Sequence, residues 1–584
     1  MCGIMGLFSL SINNNKKNNL INACKLLSHR GPDDEGFYSN KKILLLHKRL
    51  SIIDLKTGKQ PIENEDFVLI ANGEIYNDLD IRRQIPNFSF KTGSDCESIL
   101  AVYSKYGLNG FNKLRGMYAF AIYDKKRKKI ILGRDPFGIK PLYYFHKNKE
   151  LIFSSEIKAL IAAGNLEIKF KKKKIIELLQ LQYNSGISTL FSKILRIRPG
   201  EIKVFNSEIN TEKSIIFDKS KIFKNKKKIS SNKLGKILEK SVELHQRSDV
   251  PFGLFFSGGI DSTIILYLMS KISKKKIISY SILFDTPNQF EEKKKLEKIA
   301  KECNSKINFV NFSDEDFWNI LPKVLKYNDD PILDYAIVPT FRLAQAAKKD
   351  VKVILSGEGA DEIFAGYGRH RKIKRSFFKK QNYPYGELDK FKTFQERFSG
   401  WNFELNFSRF SNVNINLSLL QKLQLFDCNE WLPNNLLIKL DRCLMAHGLE
   451  GRTPFIDVDV FKNFFGIDDQ LKIKNGLGKF VLRMFLKENL PSYDFSKKKT
   501  GFTVPIISWL PKKINEISEY LPNNRLLKKI FKQEDIQRIC LKCKTNKNLI
   551  SVVWRLLCLS VWYEVHFDKA LAKQNTFNIL KRQG

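Results

Sequence analysis

At 584 residues the chain exceeds what one hydrophobic core organises, so two or three domains are expected. Its apolar fraction of 43% and 45 phenylalanines supply ample material for burial. The net charge of +40 invites a nucleic-acid reading. Yet 61 acidic residues are interspersed with the basic ones, and the lysine runs Lys171–Lys174, Lys226–Lys228 and Lys274–Lys276 lack interleaved aromatics. A basic nucleic-acid-binding protein is thus the lesser alternative, and no nucleic-acid partner is expected. No uncharged apolar run reaches the roughly 18 residues a membrane span needs. The start Met1-Cys2-Gly3-Ile4 has no basic or apolar leader, and nine scattered cysteines form no disulfide framework. The expectation is a cytoplasmic protein without a membrane partner.

In chain order, strands are expected at 43–47, 67–71, 117–123 and 130–133, the last two joined by a polar hairpin. A second hairpin is expected from 142–145 to 151–153. Ser94 followed by Glu97 predicts a capping box for a helix striped by Ile99, Leu100, Tyr103 and Tyr106. The pattern weakens near Arg198-Pro199-Gly200. Residues 206–228 are polar and poorly periodic, which predicts a linker between a domain at 1–205 and another at 229–584. In the second domain strands at 252–256, 277–284, 307–312 and 351–355 alternate with helices at 263–271 and 290–303, the signature of a parallel α/β sheet. Beyond about residue 370 the chain reads as helical.

Three places carry chemistry. Cys2 would be exposed by removal of Met1, giving a thiol beside its own α-amine, whose pKa near 8 lets it serve as a base. Between a predicted strand and helix lies Ser257-Gly258-Gly259-Ile260-Asp261-Ser262, where backbone N–H groups, serine hydroxyls and a helix dipole can cradle phosphate. Asp261 next to phosphate calls for a divalent cation, and the Gly-Lys-Ser/Thr ending of a Walker loop is missing. The third is Ser356-Gly357-Glu358-Gly359-Ala360-Asp361-Glu362, three carboxylates at a strand's end. Asp361 is expected to share Mg2+ with Asp261, and Glu358 to promote activation of a substrate carboxylate.

The loop from Ser257 to Ser262 resembles that of the ATP pyrophosphatase superfamily, whose members cleave ATP to AMP and pyrophosphate. Cys2-Gly3-Ile4, His29-Arg30-Gly31-Pro32-Asp33, Arg49-Leu50-Ser51-Ile52-Ile53-Asp54, Asn72-Gly73-Glu74-Ile75-Tyr76-Asn77, Gly93-Ser94-Asp95 and Gly133 to Leu142 resemble the class II glutamine amidotransferases. Together these motifs resemble the glutamine-dependent asparagine synthetases over nearly the whole chain. The resemblance implies an N-terminal nucleophile domain, a four-layer αββα sandwich, followed by an α/β nucleotide α-hydrolase-like (Rossmann-like) synthetase domain with a helical C-terminal part. It implies L-glutamine, L-aspartate and ATP as substrates, Mg2+ as cofactor, and a homodimer.

By the same resemblance Cys2 is the nucleophile, Asn72 and Gly73 form the oxyanion hole, and Arg49, Leu50, Ser51, Ile52, Ile53, Glu74 and Asp95 join them in holding glutamine. Position alone leaves Asp95 equally suited to a helix's first turn. ATP contacts map to Phe255, Ser257, Gly258, Gly259, Asp261, Ser262, Ile282, Ser356 and Gly357. Lys497-Lys498-Lys499-Thr500-Gly501-Phe502 places the family's catalytic lysine at Lys499, with Lys498 and Lys497 as neighbours able to substitute. Blocks at Leu440-Asp441-Arg442 and from Met445 to Asp457 also match. Departures occur at Asp330-Pro331-Ile332-Leu333-Asp334-Tyr335-Ala336, where relatives carry Asp-Ser-Ser, and at Gly448 and Gly451, often Ser and Val. They leave open an acceptor other than aspartate, such as a sugar uronate or a peptide carboxylate.

Overall fold

The computed structural model describes residues 2–206, 208–223, 229–373, 417–495 and 504–582. The N-terminal half is built on two antiparallel six-stranded sheets. Its strands are β1 Gly3–Ser9, β2 Asp34–Ser39, β3 Ile43–Arg49, β4 Ile62–Glu63, β5 Phe67–Ile75, β6 Gly116–Asp124, β7 Lys129–Arg134, β8 Tyr143–Lys147, β9 Glu150–Ser154, β10 Leu195–Arg196, β11 Glu201–Phe205 and β12 Thr211–Ile216. One sheet runs β10-β8-β9-β1-β3-β2 and the other β12-β11-β7-β6-β5-β4.

The continuous apolar character of these strands has a layered cause. Successive side chains face opposite ways, and here both faces are covered. Ile4, Phe8, Ile43, Leu45, Val68, Ile70, Ala119 and Ala121 pack between the sheets. Met5, Leu7, Leu44 and Leu46 face outward onto Leu20, Ala23 and Cys24 of the helix Asn14–Cys24. On the other side Leu69, Ala71, Phe120 and Ile122 meet Ile99, Leu100 and Val102 of the helix Glu97–Tyr106. Helix, sheet, sheet and helix follow as four layers, as expected.

The expected capping box, with Asp95 in the helix's first turn, does not form. The helix from Glu97 has Cys96 at its N-cap with no side-chain cap. Glu97 instead accepts the backbone N–H groups of Lys91 and Thr92, each at 2.8 Å, so it fixes the preceding loop rather than closing a capping box with Ser94. Asp95 precedes the helix instead of occupying its first turn. The expected linker at 206–228 contains β12, an edge strand on β11. Its residues are mostly exposed, so it lacks the alternation that marks a half-buried strand.

The second half holds a five-stranded sheet of β13 Phe252–Phe255, β14 Ile277–Phe284, β15 Ser305–Phe312, β16 Val353–Leu355 and β17 Glu450–Arg452, ordered β15-β14-β13-β16-β17. Every pairing is parallel. From β13 the chain proceeds to β14 on one side and later to β16 on the other, so strand order reverses at the β13/β16 crevice, where open α/β sheets bind ligands. Helices dominate thereafter. Asp427–Leu436 is a π-helix continuing into the α-helix Leu437–Met445.

Among the described residues one helix, Ile550–Phe567, is long and apolar enough to cross a membrane by length and composition. It is a core helix: Trp554, Leu557 and Trp562 are buried, and the indoles of Trp554 and Trp562 donate to the Leu333 and Asn328 carbonyls.

Candidate functional site

Cys2 stands at the head of β1, 7% exposed. Its backbone N–H donates to Asn72 Oδ1 at 2.8 Å, and Arg30 Nε donates to its carbonyl at 3.2 Å. Using Oδ1 this way leaves Asn72 Nδ2 buried without a partner, a donor pre-set for a developing oxyanion. Gly73 follows Asn72 on β5. Burial works against ionisation of Cys2, yet the charge of His47, the N-terminal charge, the His47 hydrogen bond and the Leu50 backbone N–H bring its pKa down to about 6.

His47 escaped the sequence reading. It pairs opposite Ile4 on β3, and one ring nitrogen, Nε2, lies 3.1 Å from the Ala71 carbonyl. A carbonyl only accepts, so Nε2 is the ring nitrogen that donates to it. Nδ1 has no other partner. An imidazole inside an apolar strand was the available signal.

Of the residues expected to hold glutamine, Asn72 and Leu50 reach Cys2 directly. Arg49 is buried and donates from Nη2 to the Asp54 carbonyl at 2.6 Å, while the Asp54 carboxylate accepts the Gly93 N–H at 2.9 Å. Arg49 and the Gly93-Ser94-Asp95 turn therefore share one wall. Leu50 and Ile52 are buried, Ser51 and Ile53 partly so, and the Ser51 N–H is held by Asp33 at 2.8 Å. Asp95 accepts the Ile75 N–H at 2.6 Å, and its burial pushes its pKa up to about 6. Glu74 rises well above the carboxylate range through burial and the proximity of Asp95. It is anchored from the other half of the molecule by Arg452, 3.1 Å away.

In the parallel sheet the two glycine-bearing loops meet at the β13/β16 crevice. Gly258 has φ +67°, open to glycine at little cost. Gly259 is the N-cap of the helix Ile260–Ile272 and offers no capping side chain, so the first-turn N–H groups remain for an anion. The Ser257 and Ser262 hydroxyls lie 3.2 Å apart. A Cβ on Gly357 would sit 2.8 Å from the Asp261 Cβ, so only glycine permits this approach of the loops. Phe255 and Ile282 lie on neighbouring strands β13 and β14. Ser356 is fixed by its N–H to the Arg452 carbonyl, 2.8 Å.

Asp261 and Asp361 do converge, through a cation the sequence reading missed: Lys479 Nζ lies 2.5 Å from Asp261 and 2.9 Å from Asp361. Burial opposes the charge on Lys479, but the two carboxylates hold its pKa above the ordinary lysine range. Glu362 faces away from the phosphate side. It is buried, accepts the Tyr367 hydroxyl at 2.6 Å, and is pushed up to about 8 by burial and by Asp361. Glu358 is 24% exposed in its side chain, with Lys439 Nζ 3.9 Å away. No group of three or more His, Cys, Asp or Glu side chains suited to a metal occurs among the described residues. Lys499 and its neighbours Lys497 and Lys498 lie outside the described residues.

The two halves meet across buried charge. Arg30 grips Asp441 with two bonds of 2.8 and 3.0 Å and also donates to Glu156 at 2.9 Å. Arg442 answers from the other side, 2.9 Å from Asp329 and 3.6 Å from Glu156. A second bridge joins Glu74, Arg452 and Glu450.

Comparison with known proteins matches residues 1–215 to the Glutamine amidotransferase domain and residues 233–564 to Asparagine synthase. The chain is 32% identical to Asparagine synthetase [glutamine-hydrolyzing] 1 of Bacillus subtilis (strain 168), with 97% of each chain covered. It is 30% identical to a Putative asparagine synthetase [glutamine-hydrolyzing] of Mycobacterium bovis, covering 84% of each. It is 28% identical to Asparagine synthetase B [glutamine-hydrolyzing] of Escherichia coli (strain K12), covering 87% of this chain and 83% of that one. With a thiol site on one β-sandwich and a phosphate crevice on the adjoining parallel sheet, the chain belongs to the asparagine synthase family, an ATP-dependent ligase with a glutamine amidotransferase domain at its N-terminal end.

Proposed function

We propose that the chain converts L-aspartate, L-glutamine, ATP and water to L-asparagine, L-glutamate, AMP and pyrophosphate, with residues 1–205 as glutaminase, 206–228 joining, and 229–584 as synthetase. The observation that carries this reading is the pairing of a buried, ionisation-prone Cys2 with the unspent Asn72 donor, locked by ion pairs to a sheet whose switch-point loops are shaped for pyrophosphate.

In the glutaminase half the Cys2 α-amine, freed by removal of Met1, takes the thiol proton, the Cys2 thiolate attacks the glutamine amide, and Asn72 Nδ2 with the Gly73 N–H stabilises the oxyanion. Ammonia leaves and water releases glutamate from the thioester. Arg49 receives glutamine's α-carboxylate, and Asp95 with Glu74 its α-ammonium. In the synthetase half the loop from Ser257 to Ser262 and Ser356-Gly357 hold the phosphates, while Glu358 positions the acid attacking the α-phosphorus. Ammonia then displaces AMP from the acyl-adenylate. Lys499 is assigned to stabilising charge in that half. Asp261 and Asp361 are the residues that would hold Mg2+. Asp261 Oδ1, buried without a hydrogen-bond partner, fits that use. Bound there, the ion would neutralise pyrophosphate charge.

The test is mass spectrometry of products from purified protein, ATP, glutamine and a panel of acids including aspartate, a sugar uronate and a peptide carboxylate. Asparagine with AMP and pyrophosphate is the expected result. Amidation of another panel acid in place of aspartate overturns the substrate, and release of ADP and phosphate overturns the adenylation chemistry.

A further inference from the structure

Beside Glu358 lies a charge pair that the adenylation chemistry does not use. Lys439, on the helix Leu437–Met445, reaches Asp334 Oδ2 at 3.1 Å and Glu358 Oε1 at 3.9 Å. Asp334 is itself fixed: its other oxygen accepts the Ala336 N–H at 3.0 Å, just ahead of the helix Ile337–Ala347. The side chains of Lys439, Asp334 and Glu358 are 8%, 14% and 24% exposed. Accessibility thus increases toward the carboxylate proposed to position the reacting acid.

One turn before Lys439 is Asn435, fully buried, with neither its amide oxygen nor its nitrogen hydrogen-bonded. Such a group costs about 1–3 kcal/mol unless something polar meets it. Asn435 lies in the π-helical stretch that runs directly into the helix bearing Lys439.

An α-amino acid head carries a carboxylate and an ammonium two bonds apart. Lys439 and Asp334 present the complementary charges side by side, already desolvated and already paired. An incoming zwitterion exchanges one ion pair for two, and neither buried charge is left uncompensated. Asn435 can accept from the ammonium or donate to the carboxylate. From this arrangement we infer that Lys439 and Asp334 select the acceptor as an α-amino acid, Lys439 receiving its α-carboxylate and Asp334 its α-ammonium while the distal carboxylate is presented at Glu358. The inference rests on the adenylating role proposed for the Glu358 site.

The experiment measures kcat/KM for acid-dependent pyrophosphate release, with ammonium chloride as nitrogen source, for three acids. These are L-aspartate, 3-aminopropanoate, which lacks the α-carboxylate, and succinate, which lacks the α-ammonium. The native chain should prefer aspartate to each by roughly 30-fold or more, the usual consequence of leaving one partner of a desolvated charge pair unmatched. Lys439→Met should erase the preference over 3-aminopropanoate while retaining that over succinate, and Asp334→Asn should do the reverse. Lys439→Arg should restore the carboxylate preference. A residue serving only the fold would lower all three acids together. If both variants keep the native ratios, or lose them without this crossed pattern, the inference is wrong. Should the native chain release pyrophosphate with none of the three, the aspartate reading on which the inference rests falls.

Discussion

Replacing Arg30 by Met tests how the halves of the molecule are held together. The native guanidinium is fully buried and makes four hydrogen bonds, three of them to the carboxylates of Asp441 and Glu156. Glu156 would still have His29 at 3.0 Å, Lys158 at 2.7 Å and Arg442 at 3.6 Å. Among the described residues Asp441 would keep its ion pair with Arg442, at 3.2 Å, and the more distant charge of Lys140. The loss therefore falls on Asp441, and breaking a buried pair of this kind costs about 3–5 kcal/mol. Asp441→Asn should cost less, about 1–3 kcal/mol, because Glu156 still compensates Arg30. Urea unfolding of both single variants and the double variant, followed by tryptophan fluorescence and by circular dichroism, gives the coupling energy. The two signals also report whether the halves unfold together. A coupling of about 1–3 kcal/mol is expected. Asp441 is held below its ordinary value of 3.8 despite burial, Arg30 being the largest favourable influence. Its contribution is thus present above that value and lost as acid titrates through the lower folded one. A coupling under about 0.5 kcal/mol would show that the contact binds nothing together.

Three further outcomes are expected. Cys2→Ala should abolish glutamine hydrolysis and leave ammonium-driven synthesis intact; loss of both in a folded protein would mean the two sites are not separate. Glutaminase kcat/KM should fall below pH about 6, because protons then occupy the Cys2 thiolate and the Asp95 carboxylate, both with pKa about 6. The log slope should approach about two, and a profile level down to pH about 4.5 would contradict both ionisations. Glu358→Ala should slow acid-dependent pyrophosphate release by about two to four orders of magnitude while glutamine hydrolysis continues; an unchanged release rate would remove Glu358 from the reaction.

What the sequence disclosed follows from how local each signal is. The strands that carry Asn72 and His47, and those that precede Ser257 and Ser356, are apolar runs bounded by turns, so their existence was legible, although the one expected at 67–71 runs on to Ile75 and so takes in Asn72. β12 was not: at an exposed edge its side chains meet water on both faces, and polarity there mimics a linker. The short Ser94 to Glu97 spacing misled because a carboxylate can satisfy loop N–H groups as readily as a cap. Lys479 and Lys439 were illegible for a different reason. Each is one lysine among many, and its meaning comes from carboxylates far away in sequence: Asp261 and Asp361 for Lys479, Asp334 and Glu358 for Lys439.

Arg452 shows why the two chemistries belong on one chain. Its side chain reaches Glu74, next to the Gly73 of the thiol site, and Glu450 on its own strand. Its carbonyl accepts the Ser356 N–H at the start of the phosphate-side motif. A single residue of β17 thus touches the backbone of one site and the anionic wall of the other. Glu74 cannot shed this partner cheaply, since an uncompensated charge at 2% exposure is strongly disfavoured. Any ligand that shifts β16 against β17 must carry Arg452 with it or strain that pair. Arg452 thus ties the strand that pairs with β16 to Glu74 of the N-terminal half.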